Sequence, residues 1–137
     1  MIVLDASALV ELILDTPAGR LIAARIADAA EGLHTPHLAD VEVLQALRRY
    51  VREGEIDSDE ATVAIEDFRA LDLRRHAHES LLNRVWELRD NLTAYDAVYV
   101  ALAEILDAVL LTCNGPLSRA AGMSVRVALI RPESPNP

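Results

Sequence analysis

The chain contains no lysine: all 13 of its basic side chains are arginines. That absence excludes Schiff-base chemistry and a phosphate-binding P-loop, both of which need a lysine amine. Cysteine is almost absent as well. A single residue, Cys113, cannot form an intrachain disulfide, and such usage points to a reducing compartment. Long apolar runs are also missing. The longest apolar region, from Ala97 to Cys113, is broken by Glu104 and Asp107, too often for a membrane span. Asp5 interrupts the apolar run at the amino terminus, so no secretory signal is expected either, and the expected location is cytoplasmic. Positive charge is scarce overall. The 13 arginines face 22 acids, for a formal net charge of −9, which repels nucleic acid at long range. Any nucleic-acid binding must then be local and aided by cations.

What the chain does have is apolar sequence in an orderly pattern. At 137 residues and 52% hydrophobic, it is long enough for one compact domain with a real core. That domain is expected over residues 1–131, with a proline-rich tail over 132–137. "MIVLD" reads as a strand buried on both faces. "DTPAGRLIAARIADAAEG" reads as a helix capped by Thr16, with Pro17 in its first turn and Gly32 as its stop. "LHT" is a short strand ended by Pro36, and "HLADVEVLQALRRYVREG" a helix stopped by Gly54. Asp57 or Ser58 begins the next helix, through "DEATVAIEDFRAL". "LDLRRH" is a strand candidate, followed by a helix through "HESLLNRVWELRD". "TAYDAVYVALAEIL" is a strong helix, "AVLLT" a strand, "GPLSRAAG" a short helix and "SVRVALI" a closing strand. Strands alternating with helices predict an α/β fold with a parallel sheet covered on both faces. In such sheets ligands bind beyond the carboxyl ends of the strands, where Asp5 and Asn114 fall.

Several polar residues sit where apolar ones are expected. Asp5 caps a helix beginning in "ASALVELI", or binds a metal, and one ionised carboxylate can do both. Ser7, two residues on, is placed to orient it. Thr93 and Asp96 resemble a capping box, which alone makes Asp96 an answer to the helix dipole. However, the helix is apolar nearly all round, so Asp96 is expected to point into a partly buried place and to need donors or a cation. Glu42 shares the polar arc of its helix with Gln45 and Arg49, which reads as a solvated face or an ion pair. His76 and His78 form an H-x-H with no second ligand pair, a poor case for zinc. Cys113 reads as a small buried residue rather than a nucleophile. Arg48, Arg49 and Arg52 cluster on one helix face, either as a solvated face or as phosphate ligands.

Taken together, "MIVLDASALVEL", "TPHLADVEVLQALRR", "LTAYDAVYVALAE" and "LLTCNGPLSRAAG" resemble a PIN-domain protein, most of all the VapC branch of ribonuclease toxins. The resemblance runs from residue 1 to about 130. It implies a three-layer α/β/α fold with a mostly parallel sheet of about five strands. It also implies a magnesium-dependent endoribonuclease, manganese being the alternative ion, and cleavage by metal-activated water that leaves a 5′-phosphate and a 3′-hydroxyl. Asp5, Glu42 and Asp96 match the family's first three acids, with Asp5 and Asp96 as metal ligands and Glu42 either a water-mediated ligand or the residue that positions the attacking water. Ser7 and Thr93 match polar residues often found beside those acids. The expected partners are an RNA substrate, a cognate VapB-type antitoxin and a second copy of the chain in a homodimer, with no membrane. Asn114 departs from the pattern, standing where the family commonly carries a fourth acid. That departure supports an alternative, a catalytically weak PIN-fold module that binds RNA or a partner. A flavodoxin-like or receiver-like signalling domain is disfavoured, for want of a lysine and a phosphate-cradling loop.

Overall fold

Five short apolar segments pair into one sheet. The computed structural model describes residues 1–27, 30 and 32–132. Its strands are β1 (Ile2–Leu4), β2 (Leu33–Pro36), β3 (Leu73–His76), β4 (Val109–Thr112) and β5 (Val127–Leu129). The order is β3-β2-β1-β4-β5, and every neighbouring pair is parallel. Strand β1 lies in the middle and is buried at all three positions, which explains its unbroken apolar run. Pro36 falls inside β2 rather than after it. The ladder survives its missing N–H because the next amide, on His37, donates to the His76 carbonyl at 2.8 Å.

The helices are α1 (Ala6–Ile13), α2 (Pro17–Ala27), α3 (Leu38–Arg52), α4 (Ser58–Ala70), α5 (Leu82–Glu87), α6 (Ala94–Leu106) and α7 (Gly115–Ser118). Helices α1 to α4 pack on one another, while α5 packs on α6, and α6 lies against β1, β2 and β4. The result is a three-layer α/β/α fold. Helix α6 is buried at every position from Ala97 to Ala103, as its all-round apolar sequence demands. The expected caps are present: the Thr16 hydroxyl accepts from the Gly19 amide at 3.0 Å. Asp57, not Ser58, caps α4, in a capping box with Glu60. None of the described helices is long and apolar enough to cross a membrane.

Gly19 has a steric role. A Cβ built there would lie 1.9 Å from the carbonyl oxygen of Glu11. Only glycine lets α2 approach the backbone of α1 this closely.

Four expectations need correction. "HESLLNRVWELRD" is not one helix but a 3-10 turn at Glu79–Leu81, then α5, then further turns. Leu81 and Leu88 are both drawn into the core, and the backbone tightens to i−3 hydrogen bonds at each end to deliver them. In "SVRVALI" only Val127–Leu129 is strand, because the Ser124 amide donates to the Glu104 carboxylate at 3.2 Å instead of joining a ladder. "GPLSRAAG" is helical only over Gly115–Ser118. Arg48, Arg49 and Arg52 do not share a face: Arg48 and Arg52 border a groove against α4, while Arg49 borders a different cleft. Residues 48 and 52 lie about 40° apart around the helix, whereas residue 49 lies about 100° from residue 48 and about 60° from residue 52, on the arc that turns toward the other cleft. The expected end of α2 near Gly32 and most of the 132–137 tail involve residues 28, 29, 31 and 133–137, which lie outside the described residues.

The strand order reverses direction between β1 and β4. The chain adds β2 and β3 on one side of β1, and β4 and β5 on the other. Such a switch point opens a crevice at the carboxyl ends of the two central strands. Asp5 follows β1 and Asn114 follows β4, so both expectations about strand ends hold.

Candidate active site

Asp5 is only 4% exposed. A buried carboxylate needs donors, and three are supplied. Its Oδ1 accepts from the Ser7 hydroxyl at 2.6 Å and from the Ala8 amide at 2.9 Å, the latter being the N-cap of α1. Its Oδ2 accepts from the Thr112 hydroxyl, across from the end of β4. Burial pushes the Asp5 carboxyl above the ordinary range; the Ser7, Thr112 and Ala8 hydrogen bonds oppose this, and the charge of Asp96 adds to it. Three of the roughly four lone-pair positions of this carboxylate are occupied, which leaves one on Oδ2 for a further ligand. Ser7 does double duty, since its hydroxyl also accepts from the Cys113 amide at 2.9 Å. That contact ties the start of α1 to the end of β4.

Asp96 stands in the first turn of α6, where the Thr93 hydroxyl accepts from its amide at 3.1 Å. It is half-buried, and burial raises its carboxyl too, with the Thr93 hydroxyl opposing. Glu42 arrives from α3 on the opposite side of the sheet. It has no ion pair with Arg49; instead the Tyr99 hydroxyl donates to its Oε1 at 2.6 Å. Tyr99 lies on α6, three residues after Asp96 and on the same face. Burial and the Glu42 carboxylate raise the Tyr99 hydroxyl far above its usual range, so it remains a donor. Tyr99 and Thr112 are the positions that sequence reasoning passed over. A lone polar tip inside an otherwise apolar helix was the available signal for Tyr99.

Asn114 is N-cap of α7, its Oδ1 accepting from the Leu117 amide at 3.1 Å. Its amide in turn donates to the Thr112 hydroxyl at 2.9 Å. Burial pushes the Cys113 thiol up to about 11, with Asp5 and Glu11 adding to it, so it is not a thiolate nucleophile. The histidines are engaged elsewhere. His76 Nε2 lies 2.8 Å from His34 Nδ1, and His78 Nε2 accepts from the Leu38 amide at 3.0 Å, capping α3. The H-x-H is thus two separate contacts and no zinc pair.

Asp5, Glu11, Glu42 and Asp96 all border one cleft of about 400 Å³, together with Ser7, Tyr99, Cys113 and Asn114. Among the described residues no three His, Cys, Asp or Glu side chains close tightly enough to enclose an ion. The acids instead face one another across open space. That arrangement fits a small hard cation such as magnesium, which keeps several waters and takes one or two carboxylates directly. Every charged donor is oxygen, which does not suit zinc or copper.

Residues 2–123 match the family described as PIN domain. The chain is 42% identical over 130 residues to "Ribonuclease VapC12" of Mycobacterium tuberculosis, covering 95% of this chain and 99% of that one. It is 44% identical over 119 residues to "Ribonuclease VapC9" of the same species, covering 86% and 89%. Among solved structures, PAE2754 from Pyrobaculum aerophilum superposes with a TM-score of 0.67 at 25% identity, covering 92% of this chain and 81% of that one. Mycobacterium tuberculosis VapC20, described as a sarcin-ricin loop cleaving toxin, superposes at 0.66 with 19% identity, covering 92% and 99%, which speaks for the fold. With the fold, the switch-point cleft and these relatives in agreement, the chain belongs to the PIN-domain family, in its VapC-type branch.

Proposed function

We propose that the protein is a divalent-metal-dependent endoribonuclease that acts as a toxin and is neutralised by a VapB-type antitoxin. The observation that carries this reading is the meeting of Asp5, Glu42 and Asp96, from three different elements, in one cleft at the sheet's switch point. Relatives over nearly the whole chain bear the name ribonuclease. Asp5 and Asp96 are the residues to hold the cation, magnesium first and manganese second. The bound ion would offset charge on the scissile phosphate and acidify water. Glu42, steadied by the Tyr99 hydroxyl, would orient that water and take its proton. Ser7 and Thr112 hold Asp5 in position, and Thr93 fixes the turn that carries Asp96. Asn114 keeps the end of β4 in register through its cap without adding charge.

The same acidic cleft suits an arginine from an antitoxin segment, because a guanidinium pairs with carboxylates in bidentate fashion. A homodimer working in the cytoplasm completes the reading. Purified protein incubated with total RNA tests it. Cleavage is expected with magnesium or manganese, loss of cleavage with excess chelator, and loss with Asp5→Asn prepared in parallel. Cutting that survives chelation while Asp5→Asn remains inactive overturns the metal-dependent mechanism. Equal cutting by both preparations points to a contaminant, and no cutting by the parent with either ion overturns the nuclease reading.

A further inference from the structure

The cleft has one basic residue on its border. Arg49 borders the cleft along with the four acids, its guanidinium carbon 5.3 Å from the centre of the Tyr50 ring, and Tyr50 borders the cleft too. Tyr50 in turn packs against the core. Some arginines have carboxylate partners: Arg20 with Asp15, Arg69 with Glu66, Arg75 with Asp40 and Arg84 with Glu104 and Glu87. Among the described residues Arg49 has no ion pair and no side-chain hydrogen bond. It is an exposed cation left free beside a strongly negative cleft. For the acids alone, a nearby arginine would be expected to swing into a salt bridge. Its guanidinium instead lies at cation–π range of the Tyr50 ring.

Spacing gives this position a meaning. Glu42, Ala46 and Arg49 follow one another along one face of α3, at helical intervals. Seven residues of helix advance about 10 Å, so Arg49 stands about two turns along α3 from Glu42, beside the acids rather than among them. Ala46, small and lying between them, leaves the groove open. The opposite wall is α1, through Ala6, Val10 and Glu11. A polyanion placing one phosphate among the acids meets only one compensating charge along this path.

We propose that Arg49, held over the ring of Tyr50, is the phosphate-binding residue of a substrate subsite that adjoins the acid cluster along α3. The proposal rests on the ribonuclease reading above, and it names where the RNA strand runs: along α3, from Glu42 toward Tyr50. An arginine here offsets the repulsion between a net-negative protein and its substrate at the one place where the strand must pass.

The test measures binding, so it does not depend on knowing the cleavage site. A short fluorescein-labelled single-stranded oligoribonucleotide is titrated with the Asp5→Asn protein in magnesium, followed by fluorescence anisotropy over a range of salt. Adding Arg49→Ala is expected to weaken binding about tenfold, as befits one charge-assisted contact. The plot of log affinity against log salt should become shallower by about 0.7, the value of one phosphate contact on a single strand. Arg49→Lys should restore the salt slope but not the full affinity, because the charge remains while the planar fork and ring contact are lost. Tyr50→Leu should weaken binding about threefold with the slope unchanged. A merely structural role for Arg49 would leave the slope alone. If Arg49→Ala changes neither affinity nor slope, or if the oligonucleotide is not bound at all, the subsite is overturned. When the parent still cuts total RNA in magnesium, that failure leaves the ribonuclease reading standing; when the parent cuts nothing, both fall.

Discussion

Replacing Asp5 by asparagine should make the metal-free protein more stable while abolishing cleavage. The carboxylate is buried, receives three hydrogen bonds and feels the charge of Asp96, and its pKa is raised, burial being the largest cause. A group whose folded pKa lies above its unfolded value stabilises the fold while protonated, and that contribution is lost as pH rises through the folded pKa. At neutral pH without metal, ionised Asp5 therefore costs stability. Asparagine is nearly the same shape and an equally good N-cap. Its Oδ1 still accepts from Ser7 and the Ala8 amide, and its NH2 can donate to the Thr112 hydroxyl once that hydroxyl turns toward Ser7, 3.4 Å away. Relief of desolvation and repulsion, set against weaker hydrogen bonds, leaves a net gain of about 1 kcal/mol, worth about 3 °C in Tm for a chain of this size. Thermal unfolding in chelator measures it. The gap between Asp5→Asn and parent should shrink as pH falls from about 7.5 to about 4, since the parent carboxyl then takes up its proton. Asp5→Ala supplies the contrast: losing all three accepted hydrogen bonds, the cap among them, should cost about 2 kcal/mol. An Asp5→Asn protein that melts below the parent at neutral pH in chelator, or a gap independent of pH, would refute the reasoning.

Two further substitutions probe the cleft. Tyr99→Phe removes the donor that steadies Glu42 and should lower RNA cleavage about tenfold while costing about 1 kcal/mol of stability by thermal melting; unchanged cleavage would show that Glu42 needs no holding. Asn114→Asp keeps the cap on α7 and adds charge at the cleft, so apparent magnesium affinity should tighten by about 1 kcal/mol, about fivefold, while metal-free Tm falls. A magnesium titration followed by cleavage and by melting checks both, and no change in either would place Asn114 outside the metal's field.

The sheet and its helices were legible because each rests on local signals that agree. Continuous apolar runs mark β1 and β4, and Thr16, Asp57 and Thr93 announce helix starts with side chains that bond to amides close by in sequence. The failures have a different origin. α5 and β5 are shortened by tertiary contacts: Leu81 and Leu88 reach for the core, and Glu104 captures the Ser124 amide. No window of sequence contains both partners of such contacts. The acids divide the same way. Asp5 was conspicuous because it breaks an apolar run, and Asp96 because it opens an apolar helix. Glu42 looked like solvated surface; its role depends on a hydroxyl 57 residues away. Only the family resemblance brought Glu42 forward, although the spacing of α3 already set Arg49 on the same arc as Glu42, apart from the groove that Arg48 and Arg52 border.

On the proposed reading of the cleft, the close approach at Gly19 widens the set of positions on which cleavage depends. The carbonyl oxygen that a Cβ at residue 19 would strike belongs to Glu11, on the same short helix that Asp5 caps and Ser7 anchors. Any side chain at 19 must push α1 off α2, and α1 forms one wall of the cleft. The catalytic geometry can thus be spoiled by a mutation that removes no acid and leaves every charge in place. In a genetic selection for cells that escape the toxin, glycine 19 is as exposed a target as the carboxylates. Survivors carrying changes there would retain a complete acidic motif yet have lost the activity it signifies.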